Sequence, residues 1–214
     1  MAQAVIFDLD GLLADTERLH MAAYREALGV HGVTLADAEY EEHWIRQGRG
    51  IADFLSLRGL ALNADAVREE KAAAYARRVA AEAEPMPGAV GLLDALAGRK
   101  RLALATASYG RSAGEVLAAL GLRHYFDCVV VQEDVPRVKP FPDAFLLAAE
   151  RLGAEPCACV VLEDSEKGVR AAHAAGMACI AVPNRHTAGH DFSLASRVVR
   201  SLHEVTLDMV DALA

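Results

Sequence analysis

The stretch V-I-F-D-L-D-G-L-L-A-D-T-E, Val5 to Glu17, decides how the rest of the chain is read. The apolar run Ala4 to Phe7 has the look of a buried strand. It delivers two carboxylates, Asp8 and Asp10, with Gly11 directly after them. Residues two apart in an extended chain point to the same side, so both acids are expected to face one point, with Leu9 turned away. Two carboxylates so close repel unless a cation or a shared proton lies between them. At the carboxyl end of a strand they form an oxygen-rich site suited to a hard divalent metal. Taken alone, D-x-D-G is equally a strand followed by an acidic turn.

Outward from this stretch the texture changes twice. From Arg18 to about Glu84 there is almost no β-branched apolar run. Apolar spacing predicts helices over about 19–28, 38–45, 51–57 and 64–83, the last rich in Ala, Glu, Arg and Lys. Pro85, Pro87 and Gly88 then break the chain. Residues 15–84 are therefore read as a helical insert within a core made of 1–14 and 85–214. From Pro87 onward helix and strand alternate, with strands expected over 101–106, 128–132, 158–162 and 178–182 and a short edge at Val198 and Val199. Helices are expected over 89–97, 110–120, 142–152, 165–175 and 202–213. Such alternation implies a parallel sheet covered by helices, an α/β fold with an all-helical insert after its first strand.

In open parallel sheets ligands bind beyond the carboxyl ends of the strands. Polar residues gather at those ends here. Thr106 follows L-A-L-A, and its hydroxyl can donate to a phosphoryl oxygen or merely satisfy its own turn. Lys139, in V-K-P-F-P-D, is held extended by Pro140. It is either a solvated surface charge or a cation for the site. Glu163, Asp164 and Ser165 follow V-V-L. Ser165 suits a helix cap, but two adjacent acids at the end of an apolar strand are costly if buried unpaired, which a divalent metal would relieve.

The 214 residues are 53% hydrophobic, enough to fill a sizeable core. A formal net charge of -8 argues against a nucleic-acid binder, whose footprint should be basic. An acidic chain can still take an anionic phosphate ester where local cations or a metal meet it. Cys128, Cys157, Cys159 and Cys179 show no zinc-type pairing with histidines and are read as free thiols. No signal peptide and no bilayer-spanning stretch is visible, which points to a reducing cytoplasm and no membrane partner. His186 and His190 fall in a loop with V-P-N and Gly189 and are read as non-ligands.

The opening stretch resembles the first motif of the haloacid dehalogenase-like superfamily, D-x-D-G-x-x-x-D-T/S-E, with Asp8, Asp10, Gly11, Asp15, Thr16 and Glu17 at the fixed positions. Thr106, Lys139 and the E-D-S-x-x-G run Glu163 to Gly168 match the remaining three motifs in order, so the resemblance covers essentially the whole chain. The phosphoglycolate phosphatase and β-phosphoglucomutase branch, with its helical cap, is similar in pattern. The resemblance implies a magnesium-dependent phosphatase for a small phosphorylated metabolite, of sugar phosphate or phosphoglycolate type. Asp8 would be the nucleophile and Asp10 the acid and base. Magnesium would be held by Asp8, the backbone carbonyl of Asp10, and Asp164, with Glu163 assisting. Thr106 and Lys139 would hold phosphoryl oxygens. The name-giving dehalogenase branch lacks the acid two residues after the nucleophile, so Asp10 argues for phosphate chemistry.

Specificity in that family resides in the cap, where His20, Tyr24, Arg46 and Arg49 are the polar candidates, with Ser108 on the core. R-Q-G-R-G, Arg46 to Gly50, is a loop able to meet a carboxylate or second phosphate, or a solvated basic turn. A β-phosphoglucomutase-like mutase is the alternative. It is weakened because Ser108-Tyr109-Gly110-Arg111 replaces the Ser-Lys-Asn-like group expected after the second motif. A non-catalytic binding protein is disfavoured by the intact set of acids, which destabilise one another when unused. A monomer or homodimer is expected.

Overall fold

The computed structural model describes all residues, Met1–Ala214. It divides into two compact units, Met1–Asp15 with Glu84–Ala214, and Thr16–Ala83. In chain order the elements are β1 (Ala4–Phe7), α1 (Glu17–Val30), α2 (Asp37–Tyr40), α3 (Ile51–Leu57) and α4 (Ala64–Glu82). There follow α5 (Ala89–Leu96), β2 (Arg101–Ala105), α6 (Gly110–Ala119), β3 (Cys128–Val130), α7 (Asp143–Leu152) and β4 (Cys159–Glu163). The chain ends with α8 (Glu166–Ala174), β5 (Ala178–Ala181), β6 (Arg197–Val198) and α9 (Leu207–Asp211).

The first unit is a six-stranded parallel sheet in the order β3-β2-β1-β4-β5-β6. β1 lies at its centre, with Phe7 paired to Leu104 of β2 and to Leu162 of β4. All four β1 residues are fully buried, which is why the strand is a continuous apolar run rather than an alternating one. The chain moves outward from β1 to β3, then returns to the other side of β1 as β4. That reversal makes the crevice at the carboxyl ends of β1 and β4 the favoured place for a ligand. Phe145, Ala148, Ala149 and Leu152 of α7 and Val169, Ala171 and Ala172 of α8 pack with Ile6, Ala103 and Val161 in one core. The many alanines allow close approach of helix to sheet.

Some elements differ from the pattern read in the sequence. β3 ends at Val130, because the backbone N–H of Val131 donates to the Asp134 carboxylate and Gln132–Asp134 closes into a 3-10 turn. The expected terminal helix over 202–213 is a 3-10 turn, Leu202–Glu204, followed by α9. Ser201 and Thr206 each cap one of these short pieces through a side-chain oxygen, so apolar spacing alone overran two helix starts. No helix is long and apolar enough to cross a membrane.

The second unit is entirely helical. α1 and α4 pack along each other, and Asn63 caps α4 by accepting from the N–H groups of Asp65 and Ala66. Its core holds Ala27, Leu28, Tyr40, Ile51, Phe54 and Val67. The expected helix 38–45 is the short α2 running into a π-helical turn, Glu41–Arg46, which swings Trp44 against Tyr24, Tyr40 and Phe54.

Candidate active site

The carboxyl end of β1 fixes the first acid. The Asp8 N–H donates to the Leu162 carbonyl at 3.1 Å, so pairing with β4 continues one residue past the strand. The chain then turns within Leu9 to Ala14, closed by bonds from Leu13 and Ala14 N–H to the Leu9 carbonyl. Gly11 sits in this turn at φ +81°, where an L side chain is strained. A Cβ there would also lie 2.5 Å from Asp164 Oδ2 and 2.7 Å from Asn184 Nδ2. The glycine of D-x-D-G is thus required by conformation and by space.

Lys139, from the loop between β3 and α7, is buried at the centre of the site. Its Nζ donates to Asp8 Oδ1 at 2.5 Å and to Glu163 Oε1 at 2.7 Å, and lies 4.7 Å from the centre of the Phe145 ring. The Lys139–Pro140 peptide is cis. The burial of Lys139 and its bonds to Asp8 and Glu163 remove the alternative of a solvated surface charge. Glu163 is 1% exposed. Its Oε2 accepts from Asp164 N–H, Ser165 N–H and Ser165 Oγ, each at 2.9 Å. Both of its oxygens are therefore engaged by protein donors. Gly168 completes the E-D-S-x-x-G run for a steric reason, since a Cβ at that position would collide with the Glu163 carboxylate. Ser165 also caps α8 by accepting from the Gly168 N–H at 3.3 Å.

Asp10 is turned toward β2. Its Oδ2 accepts from Ser108 Oγ at 2.6 Å and from Thr106 Oγ1 at 3.4 Å, while Thr106 Oγ1 accepts from the Ser108 N–H at 3.0 Å. The two motif acids therefore have different partners. β1 stops at Phe7, and the extended geometry expected through Asp10 gives way to the turn. Asp8, Glu163 and Asp164 instead form the close group, with one oxygen from each within 4.8 Å of the others.

Burial pushes the Asp8 carboxyl up to about 7, with the Glu163 and Asp10 charges adding to the effect and Lys139 opposing it. Burial also works against the Lys139 charge, but Asp8 and Glu163 outweigh it and hold the ammonium above its ordinary range. The Lys139 ammonium bonds Asp8 and Glu163, and a third buried carboxylate, Asp164, lies beside them. This surplus of buried negative charge, presented by oxygen donors alone, fits a hard divalent cation. Glu163 fits least well as a direct ligand, because both of its oxygens already accept from protein donors, Oε2 from three of them.

Of the residues singled out in the sequence, Asp8, Asp10, Thr106, Ser108, Lys139, Glu163 and Asp164 are brought together in the first unit. His20 and Arg49 belong to the helical unit. There the His20 ring stacks on Tyr75 at 4.1 Å, with Lys71 Nζ 2.7 Å from Nδ1. Arg49 is exposed in the loop before α3, its N–H donating to the His43 carbonyl, and Arg46 is exposed 3.7 Å from Glu42. His190 Nδ1 accepts from the Glu166 N–H at 3.4 Å, and His186, in the same loop, has its ring beside Arg185 Nε at 3.0 Å.

Two residues were not anticipated. Asn184 Nδ2 donates to the Gly11 carbonyl and to Asp164 Oδ2, and V-P-N had signalled only a loop. Glu133 receives the Gly110 N–H on both carboxylate oxygens, at 3.1 and 3.0 Å, so its charge already sits on the amino end of α6.

Comparison with known proteins adds to this geometry. The family model for haloacid dehalogenase-like hydrolases matches residues 2–176. Fructose-1-phosphate phosphatase YqaB of Escherichia coli (strain K12) is 39% identical over 179 residues, 83% of this chain and 95% of that protein. A phosphorylated carbohydrates phosphatase of Thermotoga maritima is 35% identical, covering 82% of each chain. The crystal structure of CbbY from Rhodobacter sphaeroides in complex with phosphate superposes with a TM-score of 0.88 at 31% identity, covering 99% of this chain and 100% of that one.

Proposed function

The chain belongs to the haloacid dehalogenase-like hydrolases and is a phosphoric monoester hydrolase, and from that premise we propose that it is a magnesium-dependent, cytoplasmic phosphatase of a small sugar phosphate or similar metabolite, acting through an aspartyl-phosphate on Asp8. The observation that carries the site is the buried Lys139 ammonium bonded to both Asp8 and Glu163 beside a surplus of carboxylates. The substrate class rests on relatives named for fructose 1-phosphate and phosphorylated carbohydrates.

Asp8 and Asp164, with the Asp10 backbone carbonyl, would hold the magnesium ion, which supplies charge neutralisation for the phosphoryl oxygens. Lys139 binds one Asp8 oxygen, leaving the other to attack phosphorus. A phosphorus–oxygen bond to Asp8 forms as the ester bond breaks, and Asp10 gives its proton to the departing alkoxide. The Ser108 hydroxyl, 2.6 Å from Asp10 Oδ2, orients Asp10 for that transfer. Water then attacks phosphorus, Asp10 takes a proton from it, and the bond to Asp8 breaks to release inorganic phosphate. Thr106 and Lys139 hold the phosphoryl oxygens during both steps, where positioning and charge neutralisation do most of the catalysis.

A mutase must hold a second phosphate. The amino end of α6, an anion-attracting place beside the site, is already taken by the Glu133 carboxylate. This favours the hydrolase. A screen of phosphorylated metabolites with magnesium, followed by phosphorus NMR, tests the reading. Inorganic phosphate is expected. A new phosphate ester without net phosphate release would overturn it in favour of a mutase.

A further inference from the structure

Asn184 lies just past β5, far in sequence from every acid of the site, yet its side chain uses all of its hydrogen-bonding capacity there. Nδ2 donates to Asp164 Oδ2 at 2.8 Å and to the Gly11 carbonyl at 3.1 Å. Oδ1 accepts from His186 N–H at 2.8 Å and from Thr187 N–H at 3.3 Å. One face of the amide thus grips the loop after β5, and the other grips the turn after β1 together with Asp164. The space around Gly11, where a Cβ would strike both Asp164 and Asn184, shows how closely the three are packed.

We infer that Asn184 is a positioning residue that fixes the Asp164 carboxylate for cation binding, an inference that rests on the magnesium reading above. A carboxylate with one oxygen committed to an amide donor, itself anchored to the backbone, has a single orientation for its other oxygen. Free rotation would spread that oxygen over orientations that do not meet a cation. Groups that hold a metal ligand in this way commonly set affinity over ten- to hundredfold.

A purely local role must be separated from this one. Asn184 also closes its own loop, and its N–H donates to the buried Thr187 Oγ1 at 3.0 Å. Thr187→Ala loosens that loop without touching Asp164. Magnesium chloride titrated calorimetrically into chelator-treated protein reads affinity directly, and thermal unfolding of the metal-free protein reads the fold. Asn184→Ala is expected to weaken magnesium binding about ten- to hundredfold, with kcat largely recovered at saturating magnesium. Thr187→Ala is expected to lower the metal-free midpoint and leave affinity within about twofold of wild type. Asn184→Ser, whose hydroxyl can still accept from the loop but is too short to reach Asp164, replaces the alanine variant if that fails to fold. Wild-type affinity in the Asn184 variant, or equal weakening in Thr187→Ala, would overturn the inference. A wild-type protein that binds no magnesium would instead overturn the metal reading beneath it.

Discussion

Glu163→Gln separates two roles, the assistance at the metal that the resemblance implied and the hold on Lys139 that the structure adds. In the structure both oxygens of Glu163 meet protein donors: Lys139 on Oε1, and three groups at the start of α8 on Oε2. Glutamine keeps the volume and one accepting oxygen. That oxygen is needed by the three donors, so the amide nitrogen is forced to face the Lys139 ammonium, donor against donor. Both side chains are almost wholly shielded, 5% and 1% exposed, so solvent does not soften the loss. Removing one partner of a buried pair costs about 3–5 kcal/mol. Lys139 keeps its 2.5 Å bond to Asp8, so the expected loss is somewhat smaller, about 2–4 kcal/mol. For a chain of this size that is a fall of roughly 4–16 °C in Tm. With Lys139 held on Asp8 alone and no longer fixed by Glu163, the ammonium is less well placed for the phosphoryl group, and kcat should drop on the order of a hundredfold. Magnesium affinity should change less than in Asp164→Asn, which removes a proposed ligand. Thermal unfolding and calorimetric magnesium titration of the two variants side by side measure this. If Glu163→Gln loses magnesium as completely as Asp164→Asn while keeping the wild-type midpoint, the assignment of Glu163 to Lys139 is refuted.

In Asp10→Asn the amide cannot give a proton to an alkoxide or take one from water, and such assistance is worth about a hundred- to ten-thousandfold. An aryl phosphate, whose leaving group needs little protonation, should give a burst of aryl alcohol and then slow turnover, with a mass increase on the peptide holding Asp8. Wild-type steady turnover, or the label elsewhere, would remove the roles given to Asp10 and Asp8. Asp8, whose carboxyl is raised from 3.8 to about 7, contributes stability to the metal-free protein below about pH 4 that is lost as the pH rises through 7. Magnesium takes the ionised form, so the gap in Tm with and without magnesium should widen as the pH rises to about 7 and then level off. A gap that is constant or narrows across pH 5 to 8 would contradict this.

The acids were legible because they end apolar strands. Phe7 and Leu162 precede Asp8 and Glu163 in continuous buried runs, and adjacent strands place those ends side by side. Lys139 was harder, since a loop lysine carries no local sign that it is buried. Its two prolines, Pro140 and Pro142, the site implied by the other strand ends and its order among the motifs gave it away. Asn184 and the commitment of Glu163 were not legible at all. Each depends on which distant side chain meets which oxygen, and Asn184 lies 173 residues from Gly11 along the chain. The two caps that split the C-terminal helix were visible as Ser201 and Thr206, but the apolar period continued through them.

Where the chain leaves the sheet for its helices and comes back, the two crossings are joined side by side. The Asp15 N–H donates to the Glu84 carbonyl at 3.0 Å, the Met86 N–H to the Leu13 carbonyl at 2.9 Å, and Ala14 pairs antiparallel with Pro85. This clasp belongs wholly to the sheet-bearing unit. Whatever length of chain is threaded between its two sides, the backbone bonding at the junction stays the same. Closing a longer excursion costs little more than closing a short one, because loop entropy grows only with the logarithm of length. The clasp is therefore a splice point. Evolution or a protein engineer can exchange Thr16–Ala83 for a different module, or reduce it to a hairpin turn, without re-specifying the strand that presents Asp8.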